Sequence, residues 1–217
     1  MKFRSRTDWS FEEARLRDAF PSLSLSMGPD GLRSIVGFLE VAPDVSYTVD
    51  LRIPPDYPSV EPRLVCNPQE IPWKLDRHVY EQNGVACLCA RMEIRRHWPW
   101  GSDLTDFISG LVRPFFLWQF YFQTHGTSPP TGARSHSAPG VLEAAREMLG
   151  SLGNVTDGQI RDSLRLLSRK GIPGGHELCP CGSGLRLRNC HSVIFSNLRA
   201  QVDPRHAAAD LVEAFGS

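Results

Sequence analysis

No run of about 20 apolar residues occurs in the sequence, which excludes a helical membrane span. The longest apolar cluster, residues 112–122, is broken by Arg113, Pro114 and Gln119. The first twenty residues have neither an apolar core nor a small-residue cleavage site, so we expect no secretory signal and a cytoplasmic location. Charge of one sign is missing as well: 24 Lys and Arg balance 24 Asp and Glu. That balance speaks against a general nucleic-acid binder, which carries a basic excess. Internal repeats are absent too. What is present, 41% hydrophobic and 22% charged residues in 217, is the composition of a folded chain. At about 150 residues per domain, its length implies one full domain and a smaller one.

Six cysteines fall in two groups, Cys66, Cys87 and Cys89 early and Cys179, Cys181 and Cys190 late. In a cytoplasmic chain such residues are read as thiols or metal ligands before disulfides. Between the groups lies GTSPPTGARSHSAPG, residues 126–140, whose Gly, Ser and Pro content marks a linker. We therefore expect a first domain over residues 1–125, the linker at 126–140, a helical connector at 141–175 and a compact cysteine-rich end at 176–217.

The first domain begins with a helix. Ser10 with Glu13 has capping-box spacing, and Phe11, Ala14, Leu16, Ala19 and Phe20 would form its apolar face, with Pro21 beyond its end. Alternating runs at 23–27, 33–41, 46–53 and 63–66, each bounded by Pro, Gly or Asp, predict four strands in an antiparallel meander, with a hairpin turn at Pro29-Asp30-Gly31. A loop-rich stretch over 67–101 follows. A helix over 104–122, capped at Ser102 or Asp103, comes next; Pro114 should kink or divide it. The order is that of an α+β layer. Beyond the linker, helices are expected at 141–149, at 158–170 behind a Thr156 or Asp157 cap and before Gly171 and Pro173, and at 207–215.

One loop carries candidate chemistry. In Asn83-Gly84-Val85-Ala86-Cys87-Leu88-Cys89, a glycine precedes a cysteine that lies outside any regular element. Arg91, Arg95, Arg96 and His97 downstream would favour a thiolate. Taken alone, a cysteine among Val, Ala and Leu is more often a small buried hydrophobe. Its context resembles ubiquitin-conjugating enzymes. Pro54-Pro55-Asp56-Tyr57-Pro58 and Glu61-Pro62 follow the third strand, His78 precedes Gly84-Val85-Ala86-Cys87-Leu88, and Trp98-Pro99-Trp100 precedes a helix. The resemblance covers about residues 8–125. It implies that Cys87 carries a thioester to the C-terminus of a ubiquitin-like protein and passes it to an amine, typically a target lysine. Attack on the thioester makes an oxyanion that needs a donor.

The sequence departs from the family at that donor. Where the family has His-Pro-Asn, this chain reads His78-Val79-Tyr80. Tyr80 stands at the Asn position, and His78, Tyr80, Asn83 and His97 are the available groups. His78 is otherwise a residue satisfying a backbone carbonyl, and His97 an exposed loop residue. Cys66 is read as core, Cys89 as a buried residue or, as the second reading, a resolving thiol, and Trp98 and Trp100 as packing beneath the loop. The departure is similar to bacterial relatives in antiviral (CBASS-type) operons, where the transferred group is the C-terminus of a cGAS-like nucleotidyltransferase. A binding module of the same fold without activity is the rival reading.

The second group, Cys179-Pro180-Cys181-Gly182-Ser183-Gly184 followed by Cys190-His191, offers three thiolates and an imidazole to a tetrahedral ion, with no position left for water. It closely resembles the SEC-C motif, a bacterial zinc knuckle, which implies a structural Zn2+ held by Cys179, Cys181, Cys190 and His191. Residues 183–200 carry Arg186, Arg188 and Arg199 and no acidic residue, a surface for docking a protein or, less in keeping with the neutral chain, nucleic acid.

Overall fold

The computed structural model describes residues 7–130, 134–171 and 175–216. Linker positions 131–133 and the helix terminator Pro173 lie outside them. The chain forms two compact units, Met1–Leu88 with Gly101–Thr131, and Cys89–Trp100 with Gly132–Ser217. Among the described residues no helix is long and apolar enough to cross a membrane.

The first unit is α+β. Helix α1 (Trp9–Ala19) leads into strands β1 (Leu23–Met27), β2 (Arg33–Ala42), β3 (Val45–Ile53) and β4 (Arg63–Leu64). They form one antiparallel sheet in the order β1-β2-β3-β4. Period-two alternation explains the buried face: Tyr47, Val49, Leu51 and Ile53 of β3 all point inward, beside Ile35, Leu39 and Val41 of β2. The turn before β2 closes where expected, with Gly31 in the left-handed region and the Leu32 amide donating to Asp30 Oδ1.

The entry to α1 corrects the expected cap. Asp8, not Ser10, is the cap, and its carboxylate accepts from the Ser10 and Phe11 amides at 3.1 and 3.2 Å. Phe11 is exposed, and of the expected apolar face only Leu16 is buried. The helix instead buries Glu12, whose carboxylate accepts from Tyr57 Oη at 2.7 Å and from the Leu104 amide at 2.9 Å. One carboxylate thus satisfies the first amide of helix α3 (Leu104–Phe107) and anchors the segment after β3.

Burial raises the Glu12 carboxyl above the usual range, against the lowering by the Leu104 amide and Tyr57 hydroxyl. Folding therefore favours its protonated form. Its stabilising contribution is complete below the unfolded value near ~4.3 and is lost as pH rises through the folded value. Glu12→Gln should flatten stability from pH about 4 upward. It should also cost about 1–3 kcal/mol by leaving a buried donor without its acceptor. Urea unfolding at several pH values reads both effects.

The expected 104–122 helix is divided. α3 passes into a π segment, Ile108–Val112, and then α4 (Arg113–His125). Pro114 lies in the first turn of α4, and the Arg113 amide reaches back five residues to the Ile108 carbonyl. In a continuous α-helix the Pro114 ring would press on the Gly110 carbonyl; the wider turn relieves it. Phe107, Ile108, Leu111, Val112, Phe115 and Phe116 are buried, and Phe116 stacks on Tyr47 at 4.9 Å between centroids.

The second unit is helical. It holds the short α2 (Ile94–His97), α5 (Ser137–Met148), α6 (Asp157–Leu167), α7 (Ser192–Gln201) and α8 (Pro204–Phe215). The linker is shorter than expected because α5 begins at Ser137 and contains Pro139 and Gly140. Gly140 is packed so closely on Ser135 that an added Cβ would lie 1.9 Å from its carbonyl oxygen. Helix α7 was not expected. Residues 89–100 also leave the expected 1–125 span for this unit: Met92 is buried with Ala144, Ala145 and Leu149, and Glu93 pairs with Arg134. The expected connector and cysteine-rich end share one core, in which Cys179 and Leu187 pack with Ile160, Leu164, Phe195 and Leu198.

Candidate functional site

The cysteine loop of the first unit is held by a short ladder. Val65 bridges Val85, and Val79 bridges Ala86. The Ala86 amide donates to the Leu64 carbonyl at 2.9 Å, so the loop continues the pairing that β4 begins. The Cys87 amide donates to the His78 carbonyl at 2.7 Å, and the Tyr80 amide to the Val85 carbonyl at 2.9 Å. His78, Tyr80 and Cys87 are thereby brought onto one tight hairpin. Cys87 and His78 are half-buried and Tyr80 is exposed.

Gly84 makes the turn possible. Its φ is +68°, and an added Cβ would stand 2.3 Å from the Trp73 ring. Trp73 is itself fixed by donating its indole N–H to the Cys66 carbonyl at 2.8 Å. Asn83 Oδ1 accepts from the Val85 amide at 3.0 Å, so its oxygen is spent within the loop. A groove of 480 Å³ opens beside this turn, with Asp50, Arg52, Trp73 and Asn83 on its walls.

The other side of the hairpin rests on α4 through two residues that the sequence reading did not single out. Buried Gln119 accepts from Arg77 Nε and Nη2 at 2.9 and 2.7 Å and donates to the Arg77 carbonyl at 2.7 Å. His78 follows in the left-handed region, its ring edge-on to Trp118 at 5.1 Å. The signal for Gln119 was in view, since it interrupts the most apolar stretch of the chain.

Cys66 is buried, and burial pushes its thiol up to about 12. It is a core residue, not a nucleophile at neutral pH. The charges expected to act on Cys87 have partners within the second unit. Arg91 pairs with Asp210 and Glu213, Arg96 with Glu147, and buried Arg95 stacks between Trp98 and Trp100 at 4.4 and 3.6 Å. His97 is exposed at the end of α2, and Cys89 is half-buried; both belong to that unit. Trp98 is fully buried there, whereas Trp100, expected to pack, is exposed.

The second cysteine group converges. Cys179 Sγ, Cys181 Sγ, Cys190 Sγ and a His191 ring nitrogen lie within 4.8 Å of one another. His191 Nδ1 is 3.3 Å from Cys179 Sγ and 3.2 Å from Cys190 Sγ, and the Cys181 and Cys190 sulfurs are 3.5 Å apart. A zinc tetrahedron with Zn–S and Zn–N bonds of about 2.3 and 2.0 Å has edges of about 3.5–3.8 Å. These three separations are close to that size and the rest are within 4.8 Å, so the residues could hold a metal ion and supply a complete set of soft and borderline ligands. Nδ1 is the imidazole nitrogen facing the sulfurs.

The Ser183 hydroxyl lies 3.3 and 3.4 Å from the Cys181 and Cys190 sulfurs. It lowers the Cys181 thiol, whereas burial raises that of Cys179. Left-handed glycines 182 and 184 shape the loop, and His191 stands immediately before α7. Residues 177–192 match the SEC-C motif. The motif and the cluster together are consistent with zinc. No curated protein and no solved structure matches the chain. Of the basic residues around the SEC-C motif, Arg199 is half-buried, and its guanidinium donates to the Leu167 and Arg169 carbonyls. Arg186 and Arg188 are exposed, each 3.4 Å from His176 Nδ1.

Proposed function

We propose that the first unit is a ubiquitin-conjugating-like transferase domain and that Cys87 is its nucleophile. The observation that carries the reading is the loop itself. After an N-terminal helix and a four-strand meander, Gly84 to Cys87 is hydrogen-bonded along β4 and delivers a half-buried thiol at the end of the ladder. In the proposed reaction the Cys87 thiolate attacks the C-terminal carbonyl of an activated acyl donor, an acyl adenylate or thioester. A C–S bond forms and the activating group leaves. An amine then attacks the thioester carbonyl; the C–N bond forms, the C–S bond breaks, the thiolate departs and the amine proton passes to a base or to water. The donor is a ubiquitin-like protein or the C-terminus of a cGAS-like nucleotidyltransferase, in bacterial antiphage defence. His78 and Tyr80, on the same hairpin as Cys87, are the candidates for supporting the oxyanion.

The metal of the SEC-C segment is, in this proposal, a structural zinc. Its four ligands would hold the segment in place and do no chemistry, because none of the coordination shell is left for substrate. Arg186 and Arg188 would offer it a protein-docking edge.

One feature of the sequence favours the rival, a binding module without activity: Tyr80 stands where the family has an amide. Intact-mass analysis of the full chain co-expressed with its genomic neighbours decides between the two. We expect an adduct that forms with wild type, is released by reducing thiol, and is absent in Cys87→Ala. A stable complex with no such adduct would establish the binding module.

A further inference from the structure

We infer that Gln159 is a positioning residue of the metal site, tying the ligand loop to the first turn of α6. It lies outside the SEC-C segment, 22 residues before Cys181. Its Nε2 donates to the Cys181 carbonyl at 2.5 Å. The same side chain closes the capping box of α6: Gln159 Oε1 accepts from the Thr156 amide at 2.8 Å, and Thr156 Oγ1 accepts from the Gln159 amide at 3.3 Å. One carboxamide therefore spends its acceptor on the helix start and its donor on a ligand-bearing peptide.

The fit is close. Gly182 has φ +80°, and a Cβ there would stand 3.2 Å from Gln159 Nε2, so the missing side chain makes room for the amide. Holding the Cys181 carbonyl fixes the Cys181-Gly182 peptide and with it the direction of the Cys181 sulfur toward Cys190 and His191. Groups that orient a ligand from outside the coordination shell commonly change metal affinity by 10- to 100-fold. The link also works in reverse, because a coupling between two sites is reciprocal: bound metal should steady the first turn of α6. That turn opens the helix carrying Ile160 and Leu164 into the core, so the metal would brace the helical unit and not only its own loop.

This inference rests on the reading of Cys179, Cys181, Cys190 and His191 as a metal site, and the test separates the two. The full chain is loaded with zinc, and release to a chromophoric chelator is timed. A cobalt-loaded sample gives the ligand-field spectrum, and hydrogen exchange reports on residues 157–163. Glu at 159 keeps the capping acceptor but turns an oxygen toward the Cys181 carbonyl; Ala removes the donor without adding charge. We expect Gln159→Glu and Gln159→Ala to speed release by about tenfold or more and to shift the cobalt bands. In Gln159→Glu the metal-loaded α6 should keep its protection. Thr156→Ala, which weakens the helix start and leaves the Cys181 contact, should stay within about twofold of wild type in release.

Wild-type release and an unchanged cobalt spectrum in both Gln159 variants would overturn the inference while leaving the metal site standing. So would equal acceleration by Thr156→Ala, which would reduce Gln159 to a helix cap. Failure of the wild-type chain to bind either metal would overturn the metal reading and this one with it.

Discussion

Replacing Cys181 by Ser is expected to unfold much of the second unit while the sheet of the first stays intact. Cys181 is one of the four clustered residues that could hold a metal ion, and its loop packs against a core that includes Cys179 and Leu187. An ion bound at a thousandfold excess over its dissociation constant contributes about 4 kcal/mol to the folded state. In a domain of this size that corresponds to a fall in Tm of about 15–30 °C. Scanning calorimetry should show one transition moving down and another staying, and hydrogen exchange should place the retained protection in β1–β4. An unchanged lower transition in Cys181→Ser would mean that the helices hold the segment without metal.

The same site should respond to pH. Metal displaces protons from the thiols, and the raised Cys179 thiol keeps its proton at neutrality in the metal-free protein. Apparent affinity should therefore rise with pH, by about tenfold per unit for each proton displaced. Chelator competition between pH 6 and 8 measures the slope.

The second large effect is expected from Gly84→Ala in the cysteine loop. The substitution carries two separable costs. A side chain in the left-handed region costs about 1–2 kcal/mol. The new Cβ would meet the Trp73 ring at 2.3 Å, and displacing that ring gives up its bond to the Cys66 carbonyl, for about 1–3 kcal/mol more. The sum of about 2–5 kcal/mol falls on the strand-like pairing that places Cys87. Denaturation of Gly84→Ala alone and combined with Trp73→Leu tests the division: the double variant should cost less than the two singles added together. Strict additivity would show that Gly84 and Trp73 do not meet.

The sheet was legible because its signal is local. Tyr47, Val49, Leu51 and Ile53 alternate without interruption and end at Pro54, and all four are buried. The Cys179, Cys181, Cys190 and His191 cluster was legible for the same reason, being confined to thirteen positions, 179 to 191.

What escaped was carried by contacts distant in sequence. Glu12 reads as a surface residue of a helix, and becomes a buried acceptor only once Tyr57 and Leu104 arrive from 45 and 92 residues away. Arg77 and Gln119 are 42 apart. Residues 89–100 follow the cysteine loop directly, yet Met92 finds its neighbours beyond position 140. Helix α7 has only Phe195 and Leu198 buried, too narrow a stripe to announce a helix, and the residue before it, His191, is occupied with the sulfurs in place of capping.

The π segment Ile108–Val112 has a bearing on how this chain should be aligned with any other. A π turn holds about one residue more than an α turn. A sequence lacking that extra residue would continue as plain α-helix, and everything after it would swing by about 100° around the axis. Gln119 would then leave Arg77, and Trp118 would leave His78. A comparison written without a gap at 108–112 would pair the wrong faces of α4, even where every apolar letter seemed to agree. Shifting the alignment by one position at that point is what keeps equivalent residues opposite the cysteine hairpin.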